Sequence, residues 1–250
     1  MKMVAENISK PIGNDTIGID TLKAIANAHC FNRWMFESIQ PFIKGNILEI
    51  GSGLGNISSY LIQDQRQVTL SDVQKFYCDF LINNFKTSSY VKDILQLDLV
   101  AVDFDKTYGH LFNQFDTAFA LNVIEHIQED SVAITNLKKF LKPGGKMLIL
   151  VPAHPQLYNS IDHFLQHFKR YKKEELELLL SKCGLKIERS FFFNSLGIVA
   201  WWLSGAIFKN KKIKNKQMNA YDYLVPLARI LDKISGKRIG LSVISVAVKD

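Results

Sequence analysis

The segment Ile47-Leu48-Glu49-Ile50-Gly51-Ser52-Gly53-Leu54-Gly55-Asn56 constrains this chain more than any other. Asn46 to Ile50 is a short, largely apolar run. That pattern suits a strand buried on both faces, as parallel strands are. Three glycines at alternate positions follow, and Ile57 to Ile62 then begin a helix. Glycine lets a backbone turn sharply and lie close to a ligand. The turn falls at the C-terminal edge of the strand, where open α/β sheets bind their ligands.

The same rhythm continues downstream. Gln67 to Asp72 reads as a second strand, Val73 to Phe85 as a helix, and Tyr90 to Leu97 as a third strand followed by Asp98. Phe115 to Leu121 is a fourth strand, and Asn122 to His126 turns into a helix running to about Leu141. Lys142-Pro143-Gly144-Gly145 has turn composition, and Lys146 to Val151 is a fifth strand. Lys172 to Cys183 is an amphipathic helix with Gly184 as its C-cap, and Leu185 to Phe193 is a sixth strand. Strands alternating with helices predict an α/β fold, a doubly wound, mostly parallel sheet with helices on both faces.

Outside this core, residues 1–20 read as a flexible N-terminal arm, and residues 21–250 as one domain. Thr21 to Phe42 has helical spacing and stops near Pro41. Residues 194–238 break the rhythm with Trp201-Trp202, the run Lys209 to Lys216, and an apolar helix from Tyr221 to Ile234. They are read as a helical insertion before a β-prone stretch, Ile239 to Val248. The chain has 250 residues, 47% of them hydrophobic, which is enough for a sizeable core. Three scattered cysteines give no CxxC pair, so a reducing, cytoplasmic setting is expected. The N-terminus lacks the apolar core of a signal peptide. The net charge of +7 is partly concentrated in the lysine run rather than spread over a face, which argues against a nucleic-acid partner.

Two cofactor classes use a glycine loop of this kind. A dinucleotide loop reads G-x-G-x-x-G, but here Asn56 holds the third glycine position and Gly55 comes one place early. The G-x-G-x-G form preceded by Glu49 resembles motif I of class I methyltransferases. A carboxylate there suits the cationic amine and sulfonium of S-adenosyl-L-methionine (SAM), and would repel a pyrophosphate. The string Asp116 to Ile127, containing Val123-Ile124-Glu125-His126, and then Leu141-Lys142-Pro143-Gly144-Gly145 extend the likeness. Over about residues 30–190 the chain is similar to SAM-dependent methyltransferases of the ubiquinone-biosynthesis type.

That resemblance implies a Rossmann-like, seven-stranded sheet whose last strand, 239–248, is antiparallel and pairs with 185–193. It implies a cofactor set of Glu49, Gly51, Ser52, Gly53, Gly55, Asp72, Val73, Asp98, Leu99, Asn122 and Val123. Glu49 would lie near the amino acid portion of SAM, with Gly51 and Gly53 under it. Asp72 would accept from the ribose hydroxyls and Asp98 from the adenine amino group, with Val73 and Leu99 on the ring. Helix capping is the plain alternative for each aspartate. The product would be S-adenosyl-L-homocysteine.

The sulfonium methyl is already activated, so the protein must mainly align it and exclude water. An oxygen acceptor calls for a base. His154, just past the fifth strand, and His167 are the candidates, with packing roles as their alternative. His163 and His167 are four apart and could share a helix face, but the segment lacks the glutamate of H-E-x-x-H, so no metal is expected. Asn122-Val123-Ile124-Glu125 is not the Asn/Asp-Pro-Pro-aromatic loop of amino-methylating nucleic-acid enzymes. Residues 191–216 place aromatics beside lysines. They read either as a cap over the acceptor pocket or as a peripheral membrane contact, and both readings favour a small-molecule, glycan or lipid-like acceptor. A SAM-binding regulator without chemistry and a nicotinamide-dependent oxidoreductase stand as alternatives.

Overall fold

The computed structural model describes residues 23–204 and 215–250. The expected arm at 1–20 and most of the lysine run lie outside the described residues. Seven strands form one sheet in the order β3-β2-β1-β4-β5-β7-β6. They are β1 (Ile47–Ile50), β2 (Val68–Asp72), β3 (Val91–Gln96), β4 (Phe115–Leu121), β5 (Leu141–Pro152), β6 (Leu185–Phe193) and β7 (Ser242–Lys249). β1 to β5 run parallel to one another. β7 lies antiparallel between β5 and β6. This is the class I methyltransferase topology that the resemblance implies.

Period-two alternation splits the sheet residues between two layers. Leu48 and Ile50 face one core with Ile134, Leu137 and Phe140 of α5 (Asp130–Phe140) and Leu176 of α7 (Lys173–Lys182). Ile47 faces the other, with Trp34, Phe36 and Ile39 of α1 (His29–Ile39) and Leu61 of α2 (Ser58–Gln63). Leu81 of α3 (Lys75–Phe85) joins that second layer. The shorter α4 (Phe104–Tyr108) and α6 (Ser160–Phe164) lie in the connections, and α8 (Ser195–Trp202) and α9 (Asn215–Ile234) stand between β6 and β7.

Four expectations are corrected. The helix expected over Thr21 to Phe42 breaks at Asn27-Ala28, and α1 starts at His29. The Asp222 carboxylate of α9 takes the N–H groups of Cys30 and Phe31 at 3.2 and 2.8 Å, so a new helix N-terminus forms there. Lys142-Pro143-Gly144-Gly145 is a bulge inside β5 rather than a turn before it. Lys142 Nζ bonds both Asp116 oxygens at 2.9 Å, and Gly144 takes φ +74°. No continuous helix joins Asn122 to Leu141. Residues Ile124–His126 form one 3-10 turn before α5, and the Glu125 carbonyl is diverted to the Phe168 N–H at 2.8 Å. Finally, α6 ends at Phe164 and Gln166 has φ +60°, so His163 and His167 do not share a helix face.

The Phe191-Phe192-Phe193 triplet belongs to the interior: Phe191 and Phe193 are buried, and Phe193 lies 4.3 Å from the Trp34 ring. Among the described residues no helix is long and apolar enough to cross a membrane.

α9 ties this region together through two carboxylates. Asp222 caps α1, and Asp232, 1% exposed, accepts from the N–H groups of Asn194 and Ser195 at 2.7 Å each at the start of α8. The first N–H groups of a helix have no partner inside it, and an anion there is favoured by the helix dipole. Asp232→Ala should therefore cost about 3 kcal/mol by stranding buried donors, against about 1 kcal/mol for Asp222→Ala at its more open site. Urea denaturation of both variants checks the ranking.

Candidate active site

Three strand ends converge on the glycine loop. Gly51, Gly53 and Gly55 all have positive φ, at +70°, +54° and +74°. A Cβ on Gly51 would stand 2.4 Å from Val123 Cγ2, so the loop after β1 packs directly on the loop after β4. The Ser52 N–H donates to the Ser71 carbonyl at 2.8 Å, and the Ser52 hydroxyl oxygen accepts from the Ser71 N–H at 3.2 Å. Asp72, at the tip of β2, accepts from the Gly53 N–H at 3.0 Å and from the Gln74 N–H at 2.9 Å. Its carboxylate thus ties the loop to the neighbouring strand while turning the chain toward α3.

Glu49 is buried beneath this loop. Its Oε2 accepts from the Ser58 hydroxyl at 2.5 Å, and its carbonyl accepts from the Ser71 hydroxyl at 2.7 Å. Burial raises its carboxyl to about 7, against the pull of the Ser58 and Ser52 hydroxyls, with Asp72 adding to the rise. A group poised this way ionises readily when a cation arrives beside it.

At the end of β3, Asp98 is half-buried and accepts from the Val100 N–H at 2.9 Å, while its own N–H donates to the Tyr108 hydroxyl at 3.2 Å. The two residues expected against one ring are placed differently. Val73 is 51% exposed, whereas the Leu99 side chain is packed into the core, with its carbonyl held by Asn136 at 2.8 Å. Asn122 is exposed at φ +54°, and its N–H donates to the Leu150 carbonyl at 2.9 Å.

The candidate bases sit in separate bonding groups. His154 has φ +63°, its Nε2 lies 3.0 Å from the Gly240 carbonyl, and its ring stacks on Phe192 at 5.3 Å. The His167 ring is buried, with Nδ1 2.8 Å from Asp162 Oδ1. Arg170 Nε reaches both Asp162 oxygens at 2.9 and 3.0 Å, and its Nη1 donates to the Ala153 carbonyl at 3.0 Å. The Arg170 guanidinium lies 4.5 Å over the Trp201 ring, so α8 covers this edge of the sheet.

Sequence reasoning treated Glu125 only as part of a family string, and weighed His126 as a possible base or as a residue fixing the local turn. In the fold they adjoin His167: the His126 and His167 rings are 4.7 Å apart, edge to face. Glu125 is fully buried, and neither carboxylate oxygen makes a hydrogen bond of sound geometry. Burial lifts its carboxyl to about 8 against its own backbone N–H and Arg170, with Asp162 adding to the rise. His126 keeps one edge open to solvent, yet burial of the rest and the facing His167 lower it to about 4, against the Gln166 and Leu165 backbone. The sequence offers no local signal for this grouping, because Glu125-His126 and His167 lie far apart along the chain.

A family model described as a methyltransferase domain matches residues 28–190. The chain is similar to the tRNA U34 carboxymethyltransferase of Hydrogenovibrio crunogenus, 27% identical over 80% of this chain and 65% of that protein. It is also similar to the ubiquinone/menaquinone biosynthesis C-methyltransferase of Shewanella sediminis, 27% identical over 50% of each. The chain thus spans less than two thirds of the first of these relatives and half of the second. Among solved structures, a Haemonchus contortus phosphoethanolamine N-methyltransferase 2 in complex with S-adenosyl-L-methionine aligns with TM-score 0.60 at 19% identity. That alignment covers 94% of this chain and 58% of the other.

The contact between Gly51 and Val123 yields a double-mutant test. Gly51→Ala combines positive-φ strain with a clash and should cost about 2–4 kcal/mol. Val123→Ala removes the clashing methyls, so the pair should be non-additive, with a coupling of about 1–2 kcal/mol toward relief. Equilibrium unfolding of the four proteins in the cycle measures it, and strict additivity would show that the two loops do not touch.

Proposed function

The chain belongs to the class I SAM-dependent methyltransferases, with S-adenosyl-L-methionine as cofactor, and from that premise we propose O-methylation of a small-molecule, glycan or lipid-like acceptor. The observation that carries the cofactor half of this reading is the buried Glu49 beneath three positive-φ glycines. A carboxylate in a low-dielectric site draws an ammonium and a sulfonium strongly and repels a pyrophosphate. Asp72 and Asp98, at the ends of β2 and β3, are our assignments for the ribose and the adenine.

The acceptor half rests on the cover. α8 presents Val199 and Trp202 to solvent and lays Trp201 over Arg170, which bonds the Ala153 carbonyl just past β5. Apolar and aromatic walls with a few polar groups suit an apolar acceptor. In the reaction, the acceptor oxygen forms a bond to the methyl carbon as the carbon–sulfur bond breaks. The electron pair stays on sulfur, giving S-adenosyl-L-homocysteine, and the hydroxyl proton passes to a base. His154 and His167 are our candidates for that base.

Incubation with methyl-labelled SAM and a panel of phenols, polyprenyl lipids, glycans and bulk tRNA tests this. Label in an apolar hydroxylated acceptor, with one S-adenosyl-L-homocysteine per methyl, is the expected result. Label in tRNA alone would overturn the acceptor reading. Binding should also follow the ionisation of Glu49. Protonated below about pH 7, it loses its attraction for the SAM amine, so affinity should be about tenfold weaker at pH 5.5 than at pH 7. In Glu49→Gln that dependence should vanish. Calorimetry at the two pH values reads both results.

A further inference from the structure

The geometry points to a divalent-cation site made by Glu125, His126 and His167. One carboxylate oxygen and one ring nitrogen from each histidine all lie within 4.8 Å of one another. Three independent features support the site. First, Glu125 is 0% exposed with both oxygens unpartnered. Buried polar groups are nearly always satisfied, and an orphaned carboxylate is among the costliest exceptions. A cation beside it would remove that cost.

Second, His167 is oriented as a metal ligand is. A ligating imidazole gives its other N–H to a carboxylate or carbonyl, which fixes the tautomer and the ring plane. Here Nδ1 meets Asp162 Oδ1 at 2.8 Å; with Nδ1 as the donor, the Nε2 lone pair is available to a cation. Asp162 is itself locked by Arg170 and by the Asn159 N–H at 3.0 Å. The support is therefore rigid and its charge is balanced.

Third, the backbone around the cluster is built to bring distant residues together. Glu125 and His126 form a tight 3-10 turn, and the Phe168 N–H clamps the Glu125 carbonyl at 2.8 Å. That single bond joins the chain on either side of all three ligands. Gln166, at φ +60°, turns His167 inward.

The donor set indicates which cation. Two imidazoles and one carboxylate suit zinc and its neighbours, whereas magnesium and calcium prefer oxygen alone. Three protein ligands leave an open position, and the exposed edge of His126 makes the site reachable from solvent. With a cation bound, His167 acts as a ligand and the acceptor's proton passes to His154, the other candidate base. That last consequence rests on the methyl-transfer reading; the cation site does not.

The test uses tag-free, full-length protein stripped with a chelator and titrated with zinc chloride in a calorimeter, without SAM. One zinc per chain should bind, and magnesium should bind far more weakly. His126→Ala, near the surface, should weaken zinc by about 100-fold or more, and Glu125→Gln should weaken it as well. His163→Ala, exposed and nearby, should leave it unchanged. Cobalt(II) in place of zinc should give d–d absorption that His126→Ala abolishes while circular dichroism stays that of the parent. No zinc binding, unchanged affinity in His126→Ala, or magnesium binding as tightly as zinc would each overturn the assignment. Because SAM is absent, such a failure leaves the methyl-transfer reading standing, and a failure of methyl transfer leaves this one.

Discussion

The bonds from the Gly53 and Gln74 N–H groups to the Asp72 carboxylate hold the glycine-loop end of the sheet together. Without them the glycine loop would be a flexible link. With them it is a fixed rim on which Val123 and, through it, the loop after β4 can pack. The same device recurs at other loop and helix starts. Asp98 takes the Val100 N–H, Asp162 the Asn159 N–H, and Asp232 the first two N–H groups at α8. Main-chain donors at loop and helix starts have no partner of their own, and an aspartate is short enough to reach them.

Glu49 and Glu125 stand apart from that set. Each is buried with too few donors to keep it ionised, and burial lifts them to about 7 and about 8. Their folded values lie above the ordinary unfolded one, so the native state holds protons that the unfolded state releases. The stability they lend is full below the unfolded value, near pH 4.5, and is lost as pH rises through 7 and 8. Near neutral pH both residues are therefore costs of folding. Such strain is tolerated where function requires it, and the two glutamates flank the Gly51–Val123 contact in sequence.

Much of this was legible in the sequence because it depends on local rules. Short apolar runs bounded by turn residues placed all seven strands. The acid at the end of β2 followed from the strand boundary. What stayed hidden depended on partners far along the chain. The break before His29 is made by Asp222, and the bulge at Lys142 by Asp116. The Glu125–His126–His167 group requires the Phe168 clamp, which spacing alone does not reveal. Helical spacing suggested pairing His167 with His163, but a left-handed Gln166 turned it toward His126 instead.

The antiparallel β7 has a consequence for how the molecule is assembled. It is the last strand in sequence yet lies inside the sheet, with β5 on one side and β6 on the other. Pro152 pairs with Ser242, about 90 residues later. Until that strand inserts, β5 and β6 each present a raw edge of unpaired N–H and C=O groups, and raw edges invite association with other chains. Closing contacts so far apart is slow, because loop entropy must be overcome before any pairing rewards it. Insertion of β7 is thus the step at which a half-made sheet either becomes a protein or becomes an aggregate. The helices between β6 and β7, anchored by Asp222 and Asp232, shorten the search by holding the returning chain close to its slot.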